Sequence, residues 1–395
     1  MKIQNIAIKD VAGITSLDIS FDKRMNILCG PNGIGKTTVL ECCAHTFSIG
    51  ETAILKSRAG TSETGDLKGV VEACLNDDEN LSAIKIHVNH YDPIKKSEPL
   101  GKHDKAEYLL SLKTDRLFKY QALESVKKDT VKNKTDLIRD AKNGISSTDI
   151  KSWFVNRDLY SNKDKAMSME QLANFELAKL CFSKLNAEFT FDHVSASSLD
   201  IYVKTPGGLI VYEYLSSGFK SCFVMLLGII KELELRFKHK KVEDVEAIVL
   251  IDEIELHLHP EWQGKIAGIL TEIFPRLQFI VTTHSPHVIQ SAERSQIIAL
   301  ESKDGLIKQR TLPETPHGFK GWTVDEVLTD VMGMSDTRTD FFNSRISIFE
   351  KAVDEDDLDK ATVVFNELDL ALHPNNPLRK ILKLQLAGVG VSCDD

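Results

Sequence analysis

Ile3, Ile6 and Ile8, then Leu17, Ile19 and Phe21, fall largely on alternate positions and predict two strands joined through Val11-Ala12-Gly13-Ile14. Met25 to Cys29 is an unbroken apolar run of strand length, and a helical pattern, Thr38 to Phe47, follows it. Val70 to Cys74 and Ile84 to Val88 read as further strands around the acidic, turn-like Asn76-Asp77-Asp78-Glu79-Asn80, and Tyr108 to Leu112 reads as another. From Ala122 to about Thr148, Lys, Asp and Asn dominate and the periodicity weakens, which predicts an exposed helical insertion with a solvated, mixed-charge face. Trp153-Phe154 and Met169 to Leu185 restore an amphipathic helix, with Leu172, Phe175, Leu177, Leu180 and Phe182 as its apolar face.

Beyond the insertion, Asp200 to Lys204, a Pro206-Gly207-Gly208 turn and Leu209 to Tyr212 predict a hairpin. An apolar helix follows from Ser221 to Leu235, then a buried strand, Glu246 to Glu253, ending in two carboxylates. Glu261 to Ile273 is amphipathic helix, Gln278 to Thr282 a buried strand, and Ile297 to Glu301 with Gly305 to Gln309 a hairpin. After Thr311 the pattern is helical: a capping box, Thr323-Val324-Asp325-Glu326, and helices at Phe341 to Val353, Leu358 to Leu372 and Leu378 to Leu386, the last opened by Pro377. These shifts divide the chain into a first β-rich lobe (1–121), a helical insertion (122–190), a second lobe (191–310) and an all-helical C-terminal region (311–395). The fold class expected is α/β, a mixed sheet with a β-rich lobe.

Composition narrows the picture only modestly. A net charge of −9 over 395 residues argues against a generally basic nucleic-acid coat, and no run approaches the apolar length of a membrane span. The N-terminus enters a strand directly with no signal-peptide pattern, so a cytoplasmic location is expected. Seven cysteines without a C-x-x-C spacing predict structural roles and neither a zinc site nor a disulfide framework.

The chemistry concentrates in Gly30-Pro31-Asn32-Gly33-Ile34-Gly35-Lys36-Thr37-Thr38, a G-x-x-x-x-G-K-T loop between a strand and a helix. Glycines such as Gly30, Gly33 and Gly35 let backbone N–H groups turn toward phosphate oxygens, Lys36 adds a mobile positive charge, and Thr37 offers a hydroxyl to Mg²⁺. Asp252 and Glu253 at a strand end complete a hydrolytic set, one carboxylate for the metal shell and one to orient and deprotonate water. His284, at the tip of the next buried strand, is placed to face the phosphates. His257 and His259 with Glu255 suggest a metal, but the missing third ligand at normal spacing favours loop packing and dimer contacts. Arg58, in the polar stretch between Glu51 and Gly69, reads either as a solvated loop residue or as an arginine contacting nucleotide or partner.

The phosphate loop, Leu215-Ser216-Ser217-Gly218, Ile251 to Pro260 and Thr282-Thr283-His284-Ser285-Pro286 together resemble the ABC-type ATPase heads of the SMC, RecF and OLD branch over residues 1–310. The resemblance implies ATP and Mg²⁺ as ligands, with Thr38 among the nucleotide-binding residues, and a head-to-tail pair of heads, with Ser216 and Gly218 of one copy facing Lys36 and Thr37 of the other across the nucleotide. Gln121 looks like the glutamine that touches Mg²⁺, and Arg58 is similar in position to an arginine near the nucleotide in SMC heads. Phe219 stands where the signature usually ends in a polar residue. No metal-binding acidic arrangement of the OLD nucleases follows residue 310, and Asp354-Glu355-Asp356-Asp357 reads as solvated surface. The layout, with Gly321 to Glu326 in a helical tail, is similar to the ATPases of Septu anti-phage systems, whose relatives also occur beside retrons. That implies an oligomer regulating a separate HNH nuclease, with the helical tail as a candidate docking surface and DNA or another nucleic acid as a further candidate partner, and no membrane. A RecF-like repair ATPase acting on DNA without a nuclease partner, and a scaffold holding ATP as a structural ligand, stand as alternatives.

Overall fold

A computed structural model describes residues 1–60, 68–77, 80–116 and 118–389. Part of the polar stretch, Asp78-Glu79 of the acidic turn, and Leu117 lie outside the described residues. By contacts the chain divides into Met1–Met334 and Ser335–Asp395, later than the division expected at 311. Residues 311–334 belong with the first unit because Leu312, Phe319, Val327, Val331 and Met332 are buried in its main core.

The first unit is built on a six-stranded sheet in the order β13-β12-β3-β11-β10-β6. Its strands are β3 (Met25–Cys29), β6 (Leu109–Leu112), β10 (Ile248–Ile251), β11 (Gln278–Thr282), β12 (Ile297–Lys303) and β13 (Leu306–Gln309). All neighbours are parallel except β12 with β13. The continuous apolar runs follow from burial on both faces. Ile27, Val249, Ile251, Phe279 and Val281 enter one core, while their neighbours Leu28, Ile248, Leu250 and Ile280 enter a second. The predicted strand from Glu246 to Glu253 is therefore shorter, since only its four central residues pair.

The second core lies beneath an antiparallel sheet, β2-β1-β4-β5, formed by β1 (Lys2–Val11), β2 (Ile14–Ser20), β4 (Gly69–Asp77) and β5 (Asn80–Val88). Helix α1 (Lys36–His45) contributes Val39, Leu40, Cys42, Cys43 and Ala44 to it. The first core is helical, with α3 (Ile150–Ser161), α4 (Met169–Leu185), α5 (Ser217–Arg236), α6 (Pro260–Ile273) and a short α7 (Pro286–Ser291). A three-stranded sheet, β7 (Thr190–Val194), β8 (Ile201–Thr205) and β9 (Gly208–Val211), precedes α5. Tyr108, expected in a strand, ends a 3₁₀ turn before β6.

Two details of the helical insertion differ from expectation. Leu180 is exposed, because the buried stripe of α4 runs through Asn174, Phe175, Ala178, Cys181, Phe182 and Leu185. Helix α2 (Lys134–Asn143) is capped by Asn133 and does not present a purely solvated face: Asp140 and Ala141 are buried, and Lys132 pairs with both Asp140 and Glu232.

The capping box forms as expected, with the Thr323 hydroxyl accepting from the Glu326 N–H at 3.2 Å and opening α8 (Val324–Glu326), which continues as a π-helical turn over Val327–Val331. The second unit contains α9 (Asp340–Asp354), α10 (Leu358–Ala371) and α11 (Leu378–Gly388) around a small core of Phe349, Ala352, Ala361, Val364, Leu368 and Leu382. No helix among the described residues is long and apolar enough to cross a membrane.

Candidate nucleotide site

The parallel strands β3, β10, β11 and β6 deliver their carboxyl ends to one edge of the sheet, and the loops leaving that edge carry the polar chemistry. The loop after β3 turns through Gly30 (φ 139°), Gly33 (φ 75°) and Gly35 (φ 97°). At Gly30 the demand is also steric, since a Cβ would lie 2.5 Å from the Leu300 carbonyl oxygen. Gly35 is the N-cap of α1, which has neither a side-chain cap nor an acid in its first turn. Such a first turn leaves N–H groups without intrahelical acceptors, as an anion site requires. Asn32, Gly33 and Thr37 are exposed and Thr38 is half-buried.

Lys36 is buried and donates to the carbonyls of Gly30 (2.9 Å) and Pro31 (3.0 Å). Among the described residues its ammonium meets no carboxylate at ion-pair distance, and burial pushes its pKa below the ordinary lysine value against the pull of Cys29, Glu255, Asp252 and Glu253. The Cys29 thiol beside it is pushed up to about 12 by burial.

Across the edge, Thr37 Oγ1 donates to Asp252 Oδ1 at 3.1 Å, and Thr282 Oγ1 donates to the same carboxylate oxygen at 2.6 Å. Thr282 also accepts the Glu253 N–H at 2.7 Å, so β11 holds the backbone and side chain of the acidic pair. Glu253 has φ +50°, a left-handed conformation unusual for a residue with a Cβ. Glu255 reaches the next loop, where Oε2 accepts from Thr283 Oγ1 at 2.7 Å and Oε1 from the His284 N–H at 2.5 Å. Glu255 is thus a strut between the acidic loop and the histidine, and the His284 side chain is exposed at the tip of β11. Ser285 closes the turn by capping α7 through the N–H groups of His287 and Val288.

Arg116 is a further site residue that no sequence pattern marks. Its side chain is 1% exposed, and its guanidinium donates to the Asp252 carbonyl at 2.6 Å and to the Glu253 carbonyl. Burial pushes its pKa down, while Glu255, Asp252 and Glu253 favour its charge. A lone arginine in a polar stretch carries no periodic signal, and its place four residues past the end of β6 is visible only in the fold.

Gln121 is not gathered into this set. Strand β6 ends at Leu112, and Lys113 and Arg116 occupy the turn beside Asp252, with Lys113 paired to Glu41 of α1. Gln121 lies five residues beyond Arg116, exposed, and its carbonyl accepts from Lys151, which also bonds Asp200. Among the described residues the hydrogen bond at Gln121 is made by its carbonyl, and none ties its side chain to Asp252 or Thr37.

Ser216 and Ser217 are exposed at the start of the twenty-residue α5, with Ser216 as an N-cap that makes no side-chain cap bond. At Gly218 a Cβ would come 3.1 Å from the His257 carbonyl and 3.3 Å from the Trp262 ring, a tight fit that those neighbours would have to yield to by a few tenths of an ångström. Phe219 packs instead of hydrogen-bonding, stacking on Phe189 and meeting Trp262 edge-on, each with ring centroids 4.3 Å apart. Ser221 donates to the Leu256 carbonyl at 3.0 Å, a further tie between the signature helix and the acidic loop. His259 Nδ1 accepts from the Glu261 N–H at the start of α6, and His257 has φ +69°. Arg58 donates to Thr15, next to Ile14, whose side chain lies 3.3 Å from a Cβ placed on Gly35; Arg58 therefore stands near the phosphate-loop end of β2.

Residues 76–290 match the family model described as "AAA domain, putative AbiEii toxin, Type IV TA system". The Septu protein PtuA of Bacillus thuringiensis is 41% identical over 98% of this chain and 98% of that protein. The Septu protein PtuA of Bacillus mycoides is 27% identical, covering 86% of this chain and 46% of that protein. The Retron Vc95 probable ATPase of Vibrio cholerae is 27% identical over 80% of this chain and 77% of that protein. Among solved structures, an SMC head bound to the C-winged helix domain of ScpA superposes with a TM-score of 0.51 at 16% identity, covering 79% of this chain and 98% of that one, a likeness of fold. The chain belongs to the Septu PtuA family and carries an AAA domain.

Proposed function

We infer that the chain binds ATP with Mg²⁺ and hydrolyses it between two copies arranged head to tail, and that this cycle controls a separate HNH-type nuclease in anti-phage defence. The observation that carries the hydrolytic reading is the bonded trio of Thr37, Asp252 and Thr282, which joins the phosphate loop to the acidic strand end beside Lys36. A hydroxyl and a carboxylate form a hard-oxygen donor set that fits Mg²⁺, which when bound supplies charge neutralisation at the phosphates. Lys36 and the first-turn N–H groups of α1 bind phosphate oxygens. Glu253 takes the proton of the attacking water, and His284 faces the transferred phosphoryl group.

The exposed, uncapped start of α5 supports a signature that accepts phosphate from a second copy, with Ser216 and Gly218 at its first turn. Arg58 is assigned to the nucleotide side of the phosphate loop. Closure then follows from differential affinity, since only paired heads complete the phosphate contacts. The nuclease partner is inferred from the extent of similarity to the Bacillus thuringiensis Septu protein PtuA, and a cytoplasmic location accompanies it.

The test is ATP turnover by the purified chain and its Glu253→Gln variant, with the native mass of the assembly recovered from its own host. Turnover lost roughly a thousandfold with ATP binding kept, and an HNH protein at fixed stoichiometry, are expected. Wild-type turnover in E253Q removes Glu253 as the base. A bare dimer with strong, salt-sensitive DNA binding replaces the nuclease regulator by a RecF-like repair ATPase.

A further inference from the structure

Glu253 combines a chemical role with an uncomfortable backbone. Its φ of +50° is a conformation that a side chain with a Cβ rarely adopts, and its neighbours on either side in sequence, Asp252 and Ile254, do not share it. Such a residue stays in place only where its surroundings over-determine it, and here the restraints are specific. Its N–H donates to Thr282 Oγ1 at 2.7 Å, and the following N–H, of Ile254, donates to the Thr282 carbonyl at 3.0 Å. Its own carbonyl accepts from the Leu256 N–H at 2.9 Å and from Arg116. The second guanidinium nitrogen of Arg116 holds the carbonyl before it, that of Asp252, at 2.6 Å. One rigid fork therefore grips two consecutive carbonyls, one on each side of the Glu253 Cα.

A planar guanidinium with two parallel donors fixes the relative direction of the two carbonyls, which a single ammonium cannot do. Those two carbonyls bracket the φ and ψ of Glu253. Their relative direction sets where the Glu253 Cα–Cβ bond leaves the loop. Arg116 is buried, approaches from the turn after β6 and contacts main chain alone at the acidic pair, so it is not in a position to touch nucleotide through these bonds. We propose that Arg116 is a positioning residue for ATP hydrolysis, holding Glu253 in its left-handed conformation through the paired carbonyls of Asp252 and Glu253. This rests on the reading of Glu253 as the base.

The test compares Arg116→Lys and Arg116→Gln with wild type and with E253Q, measuring kcat, KM, affinity for a non-hydrolysable ATP analogue, and the melting midpoint. Lysine and glutamine each retain a donor but lose the fork. The expected result is a kcat fall of about thirtyfold or more in both variants, with analogue affinity within roughly threefold and a cooperative melt preserved. Amide hydrogen exchange at 252–256 should quicken while that of α1 is unchanged. Wild-type kcat in R116K with turnover lost in E253Q overturns the role of Arg116 and leaves Glu253 as base. Wild-type kcat in E253Q overturns the base itself. Loss of analogue affinity and of cooperative melting together in both Arg116 variants makes Arg116 a packing residue, and the positioning role falls.

Discussion

The nucleotide edge and the seam between the helical insertion and α5 both bury charge, but they neutralise it differently. Where the insertion packs on α5, Glu232 of α5 is fully buried and receives Lys132 of the insertion at 2.7 Å on both oxygens, Arg236 at 3.0 Å and Lys231 at 3.2 Å. Burial alone would raise its pKa, yet the three cations hold it down at about 2. Nearby, Glu234 receives the Trp153 indole N–H at 3.0 Å, Arg157 Nε at 2.8 Å and Asn174 at 3.2 Å. At the edge, Lys36 rests on two carbonyls, and Arg116 spends its fork on backbone. Buried charges met by opposite charges make a scaffold. Buried charges met only by dipoles keep their field for a ligand.

The comparison breaks first at Lys36. Lys36→Ala is expected to weaken ATP binding by about a thousandfold without lowering the melting midpoint, because no ion pair is lost. Unchanged affinity measured by titration calorimetry would put the phosphates elsewhere, and a large drop in melting midpoint would make Lys36 a scaffold charge. Glu232→Gln should do the reverse, destabilising the first unit by roughly 3 kcal/mol in urea unfolding while ATP affinity in the folded protein stays within about threefold. A stability change near zero would show that the three cations do not need this carboxylate.

A smaller effect separates the two regions by pH. Burial pushes the His45 imidazole down to about 4, with its backbone bond to Glu41 acting in the opposite direction. A depressed histidine leaves the folded state neutral while the unfolded state binds a proton, so its stability contribution is complete above about pH 6.5 and is lost as pH falls toward 4. The expected loss is on the order of 2 kcal/mol in that window, and His45→Gln should flatten it. The depressed Glu232 acts lower, its contribution present above about pH 4.5 and lost as pH falls toward 2. Unfolding midpoints measured from pH 7 to 3 resolve the two; a flat wild-type profile between pH 6.5 and 4 rules out the buried neutral histidine as the cause.

Much of the site is legible without coordinates because its parts are local. Gly30, Gly33, Gly35, Lys36 and Thr37 sit within one strand-loop-helix unit, and Asp252, Glu253 and His284 end apolar runs whose burial reads from composition. Other elements leave weaker traces. Strand β7 is mostly exposed and shows no alternation, α7 is only six residues long, and α4 offers more apolar positions than it buries, which is how Leu180 joined the wrong face. The domain boundary misses for a similar reason: helical pattern begins near 311, but packing keeps residues 311–334 in the first core.

By itself, the sequence determines the phosphate loop, the places of the apolar strands along the chain and the residue types at their carboxyl ends, since each depends on spacing along one short segment. Tertiary structure alone decides that Thr37 and Thr282 share Asp252, that Glu255 braces His284, and that Arg116 grips the acidic loop. Those relations join segments up to 245 residues apart or depend on where a loop leaves the sheet edge. Hydrogen-bond geometry of that kind is set by parallel pairing and loop direction, which no local pattern encodes.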